Sequence, residues 1–285
     1  MSVRIQSLKT LGPKGFRRLA YAEWDGPAEG RVTVCVHGLT RNGRDFDWLA
    51  PRLARRGLVV APDMPGRGES EWLADPADYA YPGYFADVAA LIARTGADEV
   101  DYVGTSMGGI IGMYLASQAG TPIRRLVLND IGAVVPAAAL DRIAHYVGLT
   151  PDFADLDEVE AYLRQVQVGF GSLTDAQWRH MARFGHRRLE NGRLALGYDP
   201  AIAAAFRGGT SSDVVLWPYY DLIACPTLVI HGAKSDVLLP DTVAEMTRRG
   251  PRAAVFTVAE AGHAPALMDE AQIDAIDNFL STDGT

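Results

Sequence analysis

Two cysteines are too few to staple a chain of 285 residues. Cys35 and Cys225 sit in apolar runs, VTVCVHG and ACPTLVIHG. They read as reduced, buried small hydrophobes, which suits a cytoplasmic protein. No apolar run reaches the roughly 18 residues that a transmembrane helix needs, so no membrane span is expected. The opening MSVRIQSLKTLG has no apolar core of a secretory signal, so none is expected there. Basic residues are in the minority, with 27 Lys and Arg against 35 Asp and Glu, for a net charge of −8. The nearest basic cluster, Arg183, Arg187, Arg188 and Arg193, is interrupted by Glu190 and fits a solvated helical face. Nucleic acid is therefore not expected as a partner. There is no H-E-x-x-H and no Cys/His cluster, so neither a metal nor another cofactor is expected.

What is present is ordinary globular material. Hydrophobic residues make up 48% and charged residues 22%, which excludes disorder as the main state. Residues 3–8 and 15–24 read as amphipathic strands. Six apolar runs follow: Val32–Val36, Leu58–Ala61, Val100–Val103, Leu126–Leu128, Thr227–Ile230 and Ala254–Val258. Continuous Val, Ile and Leu without strict alternation suits parallel strands buried on both faces. Helical patterns lie between them, at about 43–56, 81–95, 107–119, 241–249 and 266–280. The alternation predicts an α/β fold with a mostly parallel eight-stranded sheet flanked by helices. It breaks between 135 and 217, where helices and turns are expected but no buried strand. This interval reads as an inserted helical cap, or lid, on a core made of 1–134 and 218–285; the alternative is ordinary packing helices of a larger sheet domain.

In such a sheet, ligands bind beyond the carboxyl ends of the strands. The fifth strand ends in Gly104-Thr105-Ser106-Met107-Gly108, a G-x-S-x-G between a strand and an apolar helix. A serine there stands on a sharp turn with its hydroxyl exposed, and the glycines let strand and helix approach. The alternative is a tight turn with a capping serine. A serine nucleophile needs a base. Of six histidines, only His263 lies in a loop after the last strand; His37 and His231 end strands before glycines and read as loop-shaping. The base needs an orienting carboxylate. Asp236, after the seventh strand, is expected in that role, with Asp130 as rival; Asp63 reads as loop architecture. Two amides, of Leu39 after His37-Gly38 and of Met107, are expected to form an oxyanion hole.

The HG at 37–38, the D-x-P-G-x-G turn at 63–68, GTSMGG at 104–109, the late Asp and the late His together resemble the α/β-hydrolase superfamily, in its serine-nucleophile, esterase- or lactonase-like branch. The resemblance spans all but the 135–217 interval. It implies a Ser106–His263–Asp236 triad, an oxyanion hole from Leu39 and Met107, and a cap that sets substrate choice. The expected reaction is hydrolysis of a small carboxylic ester or lactone through an acyl-enzyme. C–C bond hydrolysis of a diketone uses the same residues, but the Leu-Thr-Arg-Asn after His37-Gly38 departs from the glycine-rich run of that branch. A ligand receptor that keeps the fold is an alternative of another class. Candidate substrate contacts are Arg41, Tyr146, Phe170, Trp217 and Tyr219. Apolar cap helices can pair two copies as a homodimer or cover the site, and the pattern does not choose.

Overall fold

The run Val32–Val36 is buried at every position, and its side chains alternate between two separate apolar clusters. Val34 and Val36 face one cluster and Cys35 the other, so the strand is covered on both sides. The computed structural model describes residues 3–206 and 212–282. Along the chain it runs β1 (Val3–Gly12), β2 (Gly15–Trp24), β3 (Val32–Val36), α1 (Ala50–Leu53), β4 (Val59–Pro62), α2 (Tyr81–Thr95), β5 (Val100–Thr105), α3 (Met107–Ala116) and β6 (Ile123–Asn129). An insertion follows with β7 (Val134–Val135), α4 (Ala137–Ala144), β8 (Asp152–Phe153), α5 (Leu156–Val166), α6 (Asp175–Phe184), β9 (His186–Arg188), β10 (Leu194–Leu196) and β11 (Val214–Val215). The chain then forms α7 (Trp217–Tyr220), β12 (Thr227–Gly232), α8 (Pro240–Met246), β13 (Ala254–Val258) and α9 (Glu270–Ser281).

Eight strands form one sheet in the order β1-β2-β4-β3-β5-β6-β12-β13. β2 runs antiparallel to β1 and to β4, and the remaining pairs are parallel. All eight expected strands are in it. Side chains of α2, α3 and α8 join the cluster on one face, and those of α1 and α9 join the other. The expected helix over 43–56 is instead a 3-10 turn at Gly43–Phe46 followed by the one-turn α1, which has a proline in its first turn. Among the described residues no helix is long and apolar enough to cross a membrane.

The expectation that 135–217 holds helices without buried strands needs correction. β8, β10 and β9 form a three-stranded antiparallel sheet, and β7 pairs with β11 where the insertion leaves and rejoins the core. These strands have only two or three residues, too few to show a period. HRRL looked like a continuation of α6, but Gly185 ends that helix and the chain turns at Gly192 with φ 83°. None of the insertion's strands joins the main sheet.

At the β5–α3 turn the glycines are required by contact. A Cβ on Gly108 would overlap the Val36 carbonyl oxygen, and one on Gly104 would overlap the Gly108 carbonyl. Gly108→Ala is expected to lose about 2–3 kcal/mol of stability, since the clashing atoms are backbone and cannot rotate away. A urea midpoint equal to that of the unmodified chain would contradict this packing.

Candidate active site

Ser106 follows β5 and precedes α3 with φ 51° and ψ −113°. A non-glycine residue in this region carries strain of about 1–3 kcal/mol. The turn is held from below: the Ser106 N–H donates to the Asn129 carbonyl at 3.0 Å, and the Ser106 carbonyl accepts from Gly109 and Ile110. The strained turn lifts the hydroxyl beyond the strand end, toward the loop after β13.

His263 stands in that loop. Its Nε2 lies 2.9 Å from Ser106 Oγ, and its Nδ1 lies 2.8 Å from Asp130 Oδ2. The Asp130 side chain is fully buried and that of His263 is 11% exposed, so water competes little for these bonds. Asp130 directly follows β6 with φ 53°, which turns its carboxylate back beneath the histidine. That carboxylate also accepts the Gly232 N–H at 2.8 Å and the Ser235 hydroxyl at 2.6 Å. Its charge is thus met by donors from the end of β12 and the histidine loop.

Asp236 does not occupy the place expected for it. It lies four residues past β12, half-exposed, and accepts two hydrogen bonds from Arg142 of α4, at 2.5 and 2.8 Å. Partial burial pushes its carboxyl up, but the Arg142 hydrogen bond and charge outweigh this and hold it below the usual range. Both aspartates follow strands; only Asp130 has the backbone turn and the burial that bring it under His263.

The loop after β3 lies against the same space. His37 is buried; its Nδ1 donates to the Gly38 carbonyl at 2.6 Å and its Nε2 accepts the Met64 N–H at 2.9 Å. Leu39 is braced by Arg67, whose Nε donates to the Leu39 carbonyl at 2.8 Å. The same guanidinium, fully buried, donates to Tyr84 Oη at 2.9 Å and reaches Met107 Sδ at 3.7 Å. One cation therefore touches both residues whose amides were expected to receive an oxyanion. The Met107 amide opens α3, where helical N–H groups lack intrahelical acceptors. Asp63 shapes its loop as expected, accepting the Gly43 and Glu69 N–H groups at 2.7 and 2.8 Å; burial pushes its carboxyl up to about 6.

A chamber opens over Ser106 and His263. Its wall includes Leu39, Arg41, Tyr146 and Phe170, with Arg142, Tyr162, Gln167 and Tyr198 beside them. Trp217 and Tyr219 were also expected there, but neither lines it: Trp217 packs under Arg249, and Tyr219 stands edge-on to Tyr114. The turn at Val168–Phe170 joins the insertion to the histidine loop: Gly262 N–H donates to the Gly169 carbonyl at 2.8 Å, and Ala266 N–H to the Phe170 carbonyl at 3.1 Å. Among the described residues no group of three or more His, Cys, Asp or Glu is placed to hold a metal ion.

The profile of the Alpha/beta hydrolase family matches residues 33–275. The chain belongs to this family. It is 43% identical to the 3-hydroxybutyrate-oligomer hydrolase of Cupriavidus necator, over 98% of both chains. The crystal structure of an alpha/beta hydrolase from Novosphingobium aromaticivorans superposes with a TM-score of 0.87 at 34% identity, covering 98% of this chain and 99% of that one. A Rickettsia typhi protein superposes with a TM-score of 0.91 at 31% identity over all of both chains.

Within the alpha/beta hydrolase frame, sequence reading missed three contributors. Asn129 donates to Thr105 Oγ1 at 3.0 Å and to the Pro265 carbonyl at 2.8 Å, pinning the serine turn to the histidine loop. Its place directly before Asp130 was the available signal. Arg67 sat in a turn motif read for its glycines, and Arg142 lies four residues before Tyr146, one helical turn away.

His37 provides a pH test. Burial is the main cause that pushes its imidazole down to about 3. The unfolded chain then binds the extra proton between about pH 6.5 and 3, so this contribution is complete above 6.5 and is lost as pH falls through that window. His37→Gln is expected to be less stable at pH 7 and to lose less stability than the unmodified chain between pH 6.5 and 4. Urea midpoints across this range check it; parallel losses in both proteins would refute it.

Proposed function

We propose that this protein is a serine esterase that cleaves short hydroxy-acid oligomers through an acyl-enzyme on Ser106. The observation that carries the reading is the unbroken hydrogen-bond chain Ser106–His263–Asp130 at the floor of the chamber. The substrate class is supported by the Cupriavidus necator relative, which is named for 3-hydroxybutyrate oligomers and matches along 98% of its length. The chamber sets apolar side chains such as Leu39, Ile143 and Phe170 beside polar ones such as Arg142, Tyr146 and Gln167, a lining that suits such a ligand.

His263 Nε2 takes the Ser106 proton as Oγ attacks the ester carbonyl. Charge on the carbonyl oxygen is received by the amides of Leu39 and Met107, and Arg67 keeps both residues in place and adds positive potential beneath them. The imidazolium is held by the Asp130 carboxylate and gives its proton to the leaving alkoxide oxygen. Water then attacks the acyl group, again losing its proton to His263. The acid is released and Ser106 is restored. In this reading 135–217 acts as a cap that shapes the acyl and alcohol subsites, with Tyr146 and Phe170 among the substrate contacts. The free thiols Cys35 and Cys225 accord with a cytoplasmic location.

Ser106→Ala is expected to lower kcat on 3-hydroxybutyrate dimer and p-nitrophenyl butyrate by at least ~10⁴, leaving the thermal midpoint close to that of the unmodified chain. Intact mass after brief exposure to p-nitrophenyl butyrate should show a butyryl adduct only when Ser106 is present. Retained turnover in the alanine variant would overturn the nucleophile. Asp130→Asn is expected to cost about 10⁴ in kcat with a smaller change in KM, because the imidazole loses its orienting acceptor. Full activity in that variant would remove Asp130 from the mechanism.

A further inference from the structure

The chamber wall carries two arginines, and they are held in different ways. Arg41 is buried; its Nε and Nη2 are taken by Asp45, four residues on in the same loop, at 2.6–3.2 Å. A guanidinium pinned this way by its own turn is not available to a ligand. Arg142 is on α4 of the insertion and pairs across to Asp236 in the loop after β12. Here both side chains are close to half-exposed, at 45% and 49%. An ion pair this wet contributes little and exchanges readily. The Arg142 guanidinium also lies within interaction reach of the Tyr146 hydroxyl, on the same wall. Arg142 lines the same chamber as Ser106 and His263, so the pair borders the reacting centre.

The geometry points to Arg142 as the anchor for a free carboxylate on the substrate, with Asp236 as the internal carboxylate that holds the anchor until substrate displaces it. This rests on the esterase reading and adds the substrate class: esters that end in a free acid group. The chain's net charge of −8 works against an acidic ligand, so a local cation in the chamber is what such a ligand needs. The planar guanidinium that now donates to Asp236 through Nε and Nη2 presents the same two-donor edge to a substrate carboxylate. Anchoring the acid end fixes how far along an oligomer the cleaved ester lies from that end.

Linear 3-hydroxybutyrate dimer and its methyl ester separate the anchor from the chemistry, because they share the scissile bond and differ in the terminal charge. The unmodified chain is expected to prefer the free acid. In Arg142→Gln, the ratio of kcat/KM for free acid to methyl ester is expected to fall about 10–100-fold, the size of a lost charge-assisted pair. The Ki of butyrate as a competitive inhibitor should rise in parallel. In Asp236→Asn the ratio is expected to rise several-fold, since the competing carboxylate is gone. Arg142→Gln losses that are equal for both substrates would overturn the anchor while leaving the esterase intact. Asp236→Asn losing about 10³-fold or more in kcat on both, with the ratio unchanged, would make Asp236 the partner of His263 and overturn both the displacement and the role of Asp130. If the unmodified chain cleaves neither dimer, methyl ester nor p-nitrophenyl butyrate, the esterase reading falls and takes the anchor with it.

Discussion

A buried carboxylate between three strand ends is the constraint on which the site depends. Asp130 has no exposed surface, and removing a charge from water is costly unless donors surround it. The Gly232 amide, the Ser235 hydroxyl and the His263 imidazole supply them. Those three donors come from the end of β12 and from the loops after β12 and β13, so satisfying one charge also fixes the relative positions of the elements that must cooperate. The positive φ at Asp130 and at Ser106 is tolerated because the sheet around each over-determines it. Strain at adjacent strand ends is thus paired with the strongest local hydrogen bonding.

Much of the fold could be read from the sequence because burial on both faces leaves an unambiguous pattern. The runs Val32–Val36 and Thr227–Gly232 are buried at every position, as continuous apolar strands should be. The serine turn was legible for another reason: glycines are needed where backbones nearly touch, and Gly104 and Gly108 do nearly touch their neighbours. His263 was legible because the other five histidines had bland places, and each of those rings bonds a backbone carbonyl.

The carboxylate that meets His263 was not legible. Asp130 and Asp236 both follow core strands, and sequence spacing cannot report a backbone dihedral or a half-exposed neighbour such as Arg142. The β8–β10 sheet escaped for a related reason: strands of two or three residues carry no period, and their pairing is set by tertiary contact. Trp217 and Tyr219 were placed in the chamber on residue type alone. Fold membership fixes the sheet and the serine turn, but the chamber walls come from the least patterned part of the chain.

The turn at Val168–Phe170 hydrogen-bonds the backbone on either side of His263, and Gly169 lies so close to that backbone that a side chain there would strike it. The wall of the chamber and the backbone that carries His263 are therefore one mechanical unit. Swinging this part of the wall outward breaks two backbone hydrogen bonds and releases the loop that sets the imidazole's position. An unlatched chamber is then also a misaligned one: with those two bonds gone, the backbone that carries the imidazole loses the contacts that hold it against the Ser106 hydroxyl.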